Sequence, residues 1–491
     1  MNGNFISGPL AIDLGFYQSE GLKPVSILTS MINRHGLIAG ATGTGKTVTL
    51  RVLAENLSKA GVPVFMADVK GDLSGLAVAA QPNEKITERV TKLGITNYQP
   101  RPFPTIFWDL YGEKGIPLRT TITEVGPILL SRILELNDVQ SGVLNIAFEI
   151  ADEQSLPLVD IKDLRALLGW MVEQGDQIQS KYGAVAKSSV AAIQRSILSL
   201  EQAGGETFFG EPALNLEHLM QCDFSGQGVV NILDAQRLMQ NPRLYTSFLL
   251  WLLSELFEKL PEVGDVQRPK LAFFFDEAHL LFDSAPPSLI ERVEQVVRLI
   301  RSKGVGIYFI SQNPLDIPDT VLSQLGNRVQ HALRAFTPRD QKAVRSAAET
   351  FRSNSELNTA EVISQLGVGE ALVSCLDKDG VPTVVQRTMI VPPESRLSPL
   401  SDSERSDLLS RSPIRALYSQ AVDRESAFEM IRDRMIANAK QSESNSEAVE
   451  APKKGAKREG VWEAFFKSAA RSIGSQIGRQ ISRGIFGSLT R

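Results

Sequence analysis

The sequence predicts an α/β fold built on a mostly parallel sheet with helices on both faces. Three observations carry this. Short runs at residues 37–39, 62–67, 271–275 and 305–310 are apolar throughout instead of alternating, as strands buried on both faces are. Segments of helical periodicity separate them, giving the order of βαβ units. Two of the runs lead directly into polar clusters, at Gly40 and at Asp276, where the carboxyl ends of parallel strands open onto a crevice.

Composition narrows the classes. The 491-residue chain has room for one large domain with insertions, or for two or three domains. Hydrophobic content of 43% and charged content of 22% are ordinary for a soluble globular protein. A formal net charge of −4 excludes a chain-wide basic field, so any grip on nucleic acid must be local. Two widely spaced cysteines, Cys222 and Cys375, imply a reduced, cytoplasmic protein with both thiols buried and inert. The first 15 residues lack the basic and apolar regions of a signal peptide. The most apolar helical run, residues 248–253, soon meets Glu255 and falls far short of the roughly 20 residues that span a bilayer.

In chain order, residues 37–39 form a strand that enters a glycine-rich loop. Residues 48–57 follow with helical spacing, Val48, Val52 and Leu53 facing inward, and residues 62–67 form a second strand ending at Asp68. Residues 117–225 read as a helical insertion, with helices at 139–150, 161–173 and 184–200. Strands then recur at 226–233, 271–275, 305–310 and 329–335, with helices at 245–260 and 290–303 between them. Runs at 371–376 and 384–391 flank the hairpin turn Asp377-Lys378-Asp379-Gly380. The core is thus expected from residues 1–116 and 226–395, followed by a helical extension at 396–438. Residues 439–460 are Ser-rich and charged, and read as disordered. Residues 461–491 read as a basic amphipathic helix, with Ile473, Ile477, Ile481 and Ile485 on one stripe beside Gly474 and Gly478. Self-association is the first reading of that helix; membrane-surface binding or a phosphate-contacting arm are the alternatives.

The residues Gly40, Ala41, Thr42, Gly43, Thr44, Gly45, Lys46 and Thr47 fit G-x-x-x-x-G-K-[ST] in full, and Val48 continues into the helix. Glycines let several backbone N–H groups converge on one anion, and the helix adds the positive end of its dipole. In this pattern Lys46 reaches the β- and γ-phosphates of ATP and the Thr47 hydroxyl ligates Mg²⁺. The apolar strand 271–275 ends in Asp276 and Glu277. Asp276 would hold Mg²⁺, and Glu277 would polarise the attacking water. Gln312, after the next strand, could sense the γ-phosphate or orient water. Asp68 points at the same edge, as a ligand held at one remove or as a helix cap. His35 and His279 flank the two motifs without metal-ligand spacing, which favours structural roles. Charge on a transferring phosphoryl group is commonly met by an arginine from a neighbouring subunit. Arg298, Arg301 and Arg328 are candidates.

Taken in order, HGLIAGATGTGKT, MADVKGDLSGL, LAFFFDEAH, GVGIYFISQNP and LGNRVQ resemble the HerA/FtsK superfamily, and within it the bacterial HerA-like group of helicases or ATPases. The resemblance covers roughly residues 5–395. It implies a RecA-like core with an added catalytic-glutamate strand, a homo-oligomer that is usually a hexameric ring, ATP bound between subunits, and DNA or another polymer moved through the pore. It carries over Lys46 and Thr47 as phosphate and magnesium residues, Asp276 and Glu277 as the Walker B pair, Gln312 as sensor and Arg328 as the arginine acting in trans. DEAH is here the end of a Walker B strand, not a sign of RNA unwinding. Family members usually carry an N-terminal β-barrel of about a hundred residues. Only 39 residues precede the loop here, so that barrel is expected to be absent or vestigial. A motor for protein or pilus substrates and a slow nucleotide-dependent switch are the alternatives to a DNA motor.

Overall fold

The computed structural model describes residues 10–282 and 287–446. Among these residues the strands join one sheet: β1 (Ala11–Ser19), β2 (Gly21–Leu28), β3 (Gly36–Ala39), β4 (Val64–Asp68), β5 (Thr105–Asp109), β6 (Ile116–Pro117), β7 (Val230–Asp234), β8 (Leu271–Phe275), β9 (Val305–Ser311), β10 (Asn327–Gln330), β11 (Glu370–Ser374) and β12 (Gln386–Ile390). Their order across the sheet is β2-β1-β12-β11-β10-β3-β9-β8-β4-β7-β5-β6. From β10 to β6 every pairing is parallel. On the other side β11, β12, β1 and β2 add an antiparallel flank. The mostly parallel α/β architecture is therefore as expected, with strands on both flanks that local pattern did not reveal.

Apolar strands in the middle of the sheet feed two layers, because successive side chains point to opposite faces. Phe274 stacks on Tyr308 at 5.2 Å, in one cluster with Leu50, Leu53 and Leu57 of α1 (Lys46–Lys59). Phe273 and Phe275 face the other way. They join Phe65 and Phe309 in a run of rings with centroid separations of 4.6, 4.6 and 5.2 Å. Each ring so buried contributes about 1.5–3 kcal/mol. This packing fixes the strand ends from which the polar residues emerge.

Between β6 and β7 the chain is mainly helical, at Ile122–Ile133, Asp138–Glu153, Ile161–Glu173, Gly175–Tyr182 and Lys187–Leu200. Asn137 and Asp160 close capping boxes on two of them. The helix expected from residue 184 starts at Lys187, because Gly183 turns the chain at φ 94° first. The strand expected at 226–233 begins at Val230, since Asp223–Gln227 form a turn closed by Asp223 N to Gln227 O at 2.8 Å.

The strand expected at 329–335 is instead Asn327–Gln330. Beyond Gln330 the backbone follows the glycine loop. His331 N donates to Ala39 O at 2.7 Å, and Ala41 N donates to Ala332 O at 2.8 Å. The hairpin is found where expected, with Gly380 N donating to Asp377 O at 3.0 Å.

Residues to Ile431 form one compact unit, and the chain from Arg432 belongs to a second. The helix Ala427–Ser446 continues past residue 439, where loss of structure was expected. The remainder of the 439–460 segment and the amphipathic helix at 461–491 lie outside the described residues. No described helix is long and apolar enough to cross a membrane. Cys375 is buried as expected, whereas Cys222, beside the Asp223–Gln227 turn, is exposed.

Candidate nucleotide site

Three neighbouring parallel strands deliver the motif residues to one edge. β3 lies next to β9 with Ala39 opposite Ser311, and β9 lies next to β8 with Phe309 opposite Phe275. The residues that follow these strand ends are Gly40, Gln312 and Asp276. Gly40 N also donates to Ser311 O at 3.2 Å, so the loop starts flush against the Gln312 strand.

The loop curls through Gly43 and Gly45, at φ 79° and 118°, a region that favours glycine. Gly45 is also the N-cap of α1 and offers no side-chain cap, which leaves the first-turn N–H groups for an anion. Thr44 Oγ1 donates to Ala41 O at 2.7 Å and holds the curl. Thr42 and Gly43 are exposed at its crest, and Thr47 and Val48 are half-buried in the first turn of α1. The buried Lys46 ammonium donates to Gly40 O at 2.6 Å and Ala41 O at 3.1 Å. Burial lowers its pKa, and the nearby carboxylates of Glu277 and Asp276 oppose that shift.

Asp276 is buried; its Oδ1 accepts from Glu277 N at 3.0 Å, while Oδ2 has no protein partner. Burial, then the adjacent Glu277, pushes its carboxyl up to about 7. Glu277 itself has φ 48° and only 5% of its side chain exposed. Its Oε1 is ion-paired with Lys70; its Oε2 accepts from Gln312 Nε2 at 3.3 Å and lies 3.3 Å from His279 Nδ1. Burial works to raise the Glu277 pKa, but Lys70, Gln312 and His279 outweigh it and the net direction is down. The pair is therefore asymmetric: charge is favoured on Glu277 and disfavoured on Asp276 until a cation arrives.

Residues unremarked in the sequence brace the loop from the other side. His331 is buried beneath it, with Nε2 2.8 Å from Thr49 Oγ1 and Nδ1 2.9 Å from Glu370 O. Gly369 N donates to Thr44 O at 3.0 Å. A cavity of about 470 Å³ opens beside the loop, lined among others by Ala41, Thr42, His279, Gln312, Arg334 and Phe336.

The sequence matches the family described as helicase HerA-like C-terminal over residues 15–491. The chain belongs to this HerA family. A DNA double-strand break repair helicase HerA of Saccharolobus solfataricus is 22% identical over 347 residues, which are 69% of this chain and 61% of that protein. A probable helicase of Methanocaldococcus jannaschii is 24% identical over 365 residues, 72% of this chain and 62% of that protein. The HerA-like chain thus spans about three fifths of the length of these relatives. Its fold is shared with the bacterial conjugative coupling protein TrwB, at a TM-score of 0.51 and 14% identity, covering 78% of this chain and 91% of that one.

The remaining candidates of the HerA-like chain lie as follows. Asp68 accepts from Gly71 N at 2.7 Å and Leu73 N at 3.0 Å, so it caps the turn after β4. His35 accepts from Ile307 N at 2.9 Å, a structural bond between neighbouring strands. His279, by contrast, lies against Glu277. Arg328 is half-buried, donating through Nε to Leu325 O at 3.2 Å and through Nη2 to Leu322 O at 3.1 Å. It is not gathered with Lys46 and Glu277 in its own subunit. Arg301 shares the exposed Asp265 carboxylate with Arg34, each at 3.3 Å, and Arg298 is exposed on its helix.

Proposed function

We propose that this chain is an Mg²⁺-dependent ATPase of HerA type that works as a ring of like subunits, a hexamer by family resemblance, and moves DNA in the cytoplasm. The observation that carries the reading is the convergence of Lys46, Asp276, Glu277 and Gln312 at the ends of three adjacent parallel strands. The loop N–H groups and Lys46 bind and orient the phosphates. Glu277, kept ionised by its donors, accepts the proton of an attacking water, and Gln312 links that carboxylate to the γ-phosphate position.

The site fits a magnesium ion. Asp276 Oδ2 is a buried carboxylate oxygen without a protein partner, and the Thr47 hydroxyl stands in the first turn of α1. Mg²⁺ held by Asp276 and Thr47 would neutralise developing charge on the phosphates. Arg328, from the resemblance, would be the arginine contributed by a neighbouring subunit; Arg301 is the second candidate.

The test is the ATPase rate with and without double- and single-stranded DNA, beside a Glu277→Gln control. Stimulation by DNA supports the motor. Slow turnover indifferent to DNA removes it in favour of a nucleotide-dependent switch.

A further inference from the structure

We propose that Lys70 is a positioning residue of the hydrolytic site, acting through Glu277; the inference rests on the ATPase reading above. The sequence placed Lys70 in the segment VKGDLSGL without giving it a role. In the fold its ammonium is ion-paired with Glu277 Oε1, while Gln312 donates to Oε2 and His279 Nδ1 lies 3.3 Å from that oxygen. An ordinary surface ion pair joins two exposed side chains. Here the lysine is 43% exposed and the glutamate only 5%, so a solvent-side cation reaches onto an otherwise buried carboxylate.

The turn that presents Lys70 is built in detail. Asp68 clamps it by accepting from Gly71 N and Leu73 N, at 2.7 and 3.0 Å. Gln236, after β7, donates to the Lys70 carbonyl at 2.9 Å and is itself held by Lys114 Nζ at 2.8 Å. Gly71 has φ 77°, and a Cβ there would come within 2.3 Å of the Gln236 amide, so glycine is required for that approach. Three strand ends, β4, β7 and β8, thus combine to fix one lysine against one glutamate.

The chemistry follows from counting acceptors. A carboxylate offers about four acceptor positions on two oxygens. Gln312 fills one of them at Oε2, and Lys70 stands against Oε1 as an ion pair while that oxygen accepts no hydrogen bond from the described residues, so the lysine fixes where Oε1 points and leaves it open to a water hydrogen. Without Lys70, Oε1 is free to rotate or to turn toward Lys46, and the water is no longer held in line. The role is geometric and acts chiefly on turnover, because the ion pair of Lys70 is made with Glu277, while its charge reaches Lys46 of the loop only through space.

The experiment uses the full chain and compares Lys70→Met, which keeps the length and removes the charge, with Lys70→Arg. Steady-state hydrolysis, affinity for a non-hydrolysable Mg·ATP analogue and thermal midpoint are measured for each. The expected result is a kcat about 10–100-fold lower for Lys70→Met, as for other groups that orient a catalytic ligand. KM, analogue affinity and midpoint stay within twofold or a degree or so of the parent, and Lys70→Arg recovers most of the rate. In a Glu277→Gln background, Lys70→Met has no further effect, because the two act as a unit. An unchanged kcat in a parent that hydrolyses ATP overturns the assignment while sparing the ATPase reading. So does a loss shared equally by affinity and midpoint, or one that persists undiminished in the Glu277→Gln background. A parent that binds the analogue and never hydrolyses ATP removes both.

Discussion

Gln312 Nε2 donates to Glu277 Oε2 across 3.3 Å, joining the ends of two adjacent strands. This bond ties the residue that would meet the γ-phosphate to the one that would accept a proton from water. Glu277→Gln is expected to lower kcat by about 10²–10⁴-fold, the usual contribution of a positioned base, with nucleotide affinity retained. Gln312→Ala should lower it less, about tenfold. Single-turnover hydrolysis beside fluorescent-nucleotide binding checks both; equal losses of binding and turnover would refute these roles.

Gly45 caps α1 at φ 118°, and a Cβ there would lie 3.2 Å from the Gly369 backbone. Gly45→Ala combines backbone strain with a tight contact against main chain that has little room to yield. It is expected to cost about 1–3 kcal/mol of stability and to open the anion nest. Urea melts and phosphate-analogue binding would record both effects together. A variant with parental stability would show that the loop is more adaptable than its packing implies.

His331 supplies a pH test. Burial chiefly holds it neutral, with a folded-state pKa near 4 against an ordinary 6.5. The folded form therefore binds fewer protons than the unfolded chain between those values. Its contribution is fully present above pH 6.5 and is lost as pH falls toward 4, by about 3 kcal/mol at the lower limit. The stability difference between the parent and His331→Gln should shrink as pH drops through this window. A difference that stays constant from pH 7 to pH 4.5 would contradict the assignment.

Arg328 and Arg301 can be separated by mixing subunits. Arg328→Ala chains should lose turnover about 10³-fold if this arginine acts across an interface. Mixing them with Lys46→Ala chains, which keep the arginine and lack the phosphate lysine, should restore part of the rate. Arg328→Ala also frees the Leu322 and Leu325 carbonyls, a cost of about 1 kcal/mol visible in a melt. A destabilised but active Arg328→Ala, beside an inactive Arg301→Ala, would transfer the role to Arg301.

The central strands and the motif edge were legible because their signals are local. Uninterrupted apolar runs mark β8 and β9, and the glycine spacing marks the anion loop. The outermost strands were not. β1 and β2 mix polar and apolar residues, and β6 is two residues long, so neither periodicity nor length separates them from loops. The end of β10 was misjudged because its apolar continuation follows the glycine loop instead of a strand. Lys70 and His331 escaped for a different reason. Each depends on a partner more than 200 positions away, Glu277 for one and Thr49 for the other, and no short-range pattern encodes such a meeting.

The wedging of β3 between β9 and β10, with Gly369 and Glu370 buttressing its loop, has a consequence for biosynthesis. The lysine-bearing segment leaves the ribosome early, yet the strands on either side of it and the Gly369–Glu370 buttress are encoded in the last third of the described chain. Such long-range pairing makes for slow, late closure. A nascent chain halted before residue 305 would carry the complete glycine signature and still lack both strands that flank it.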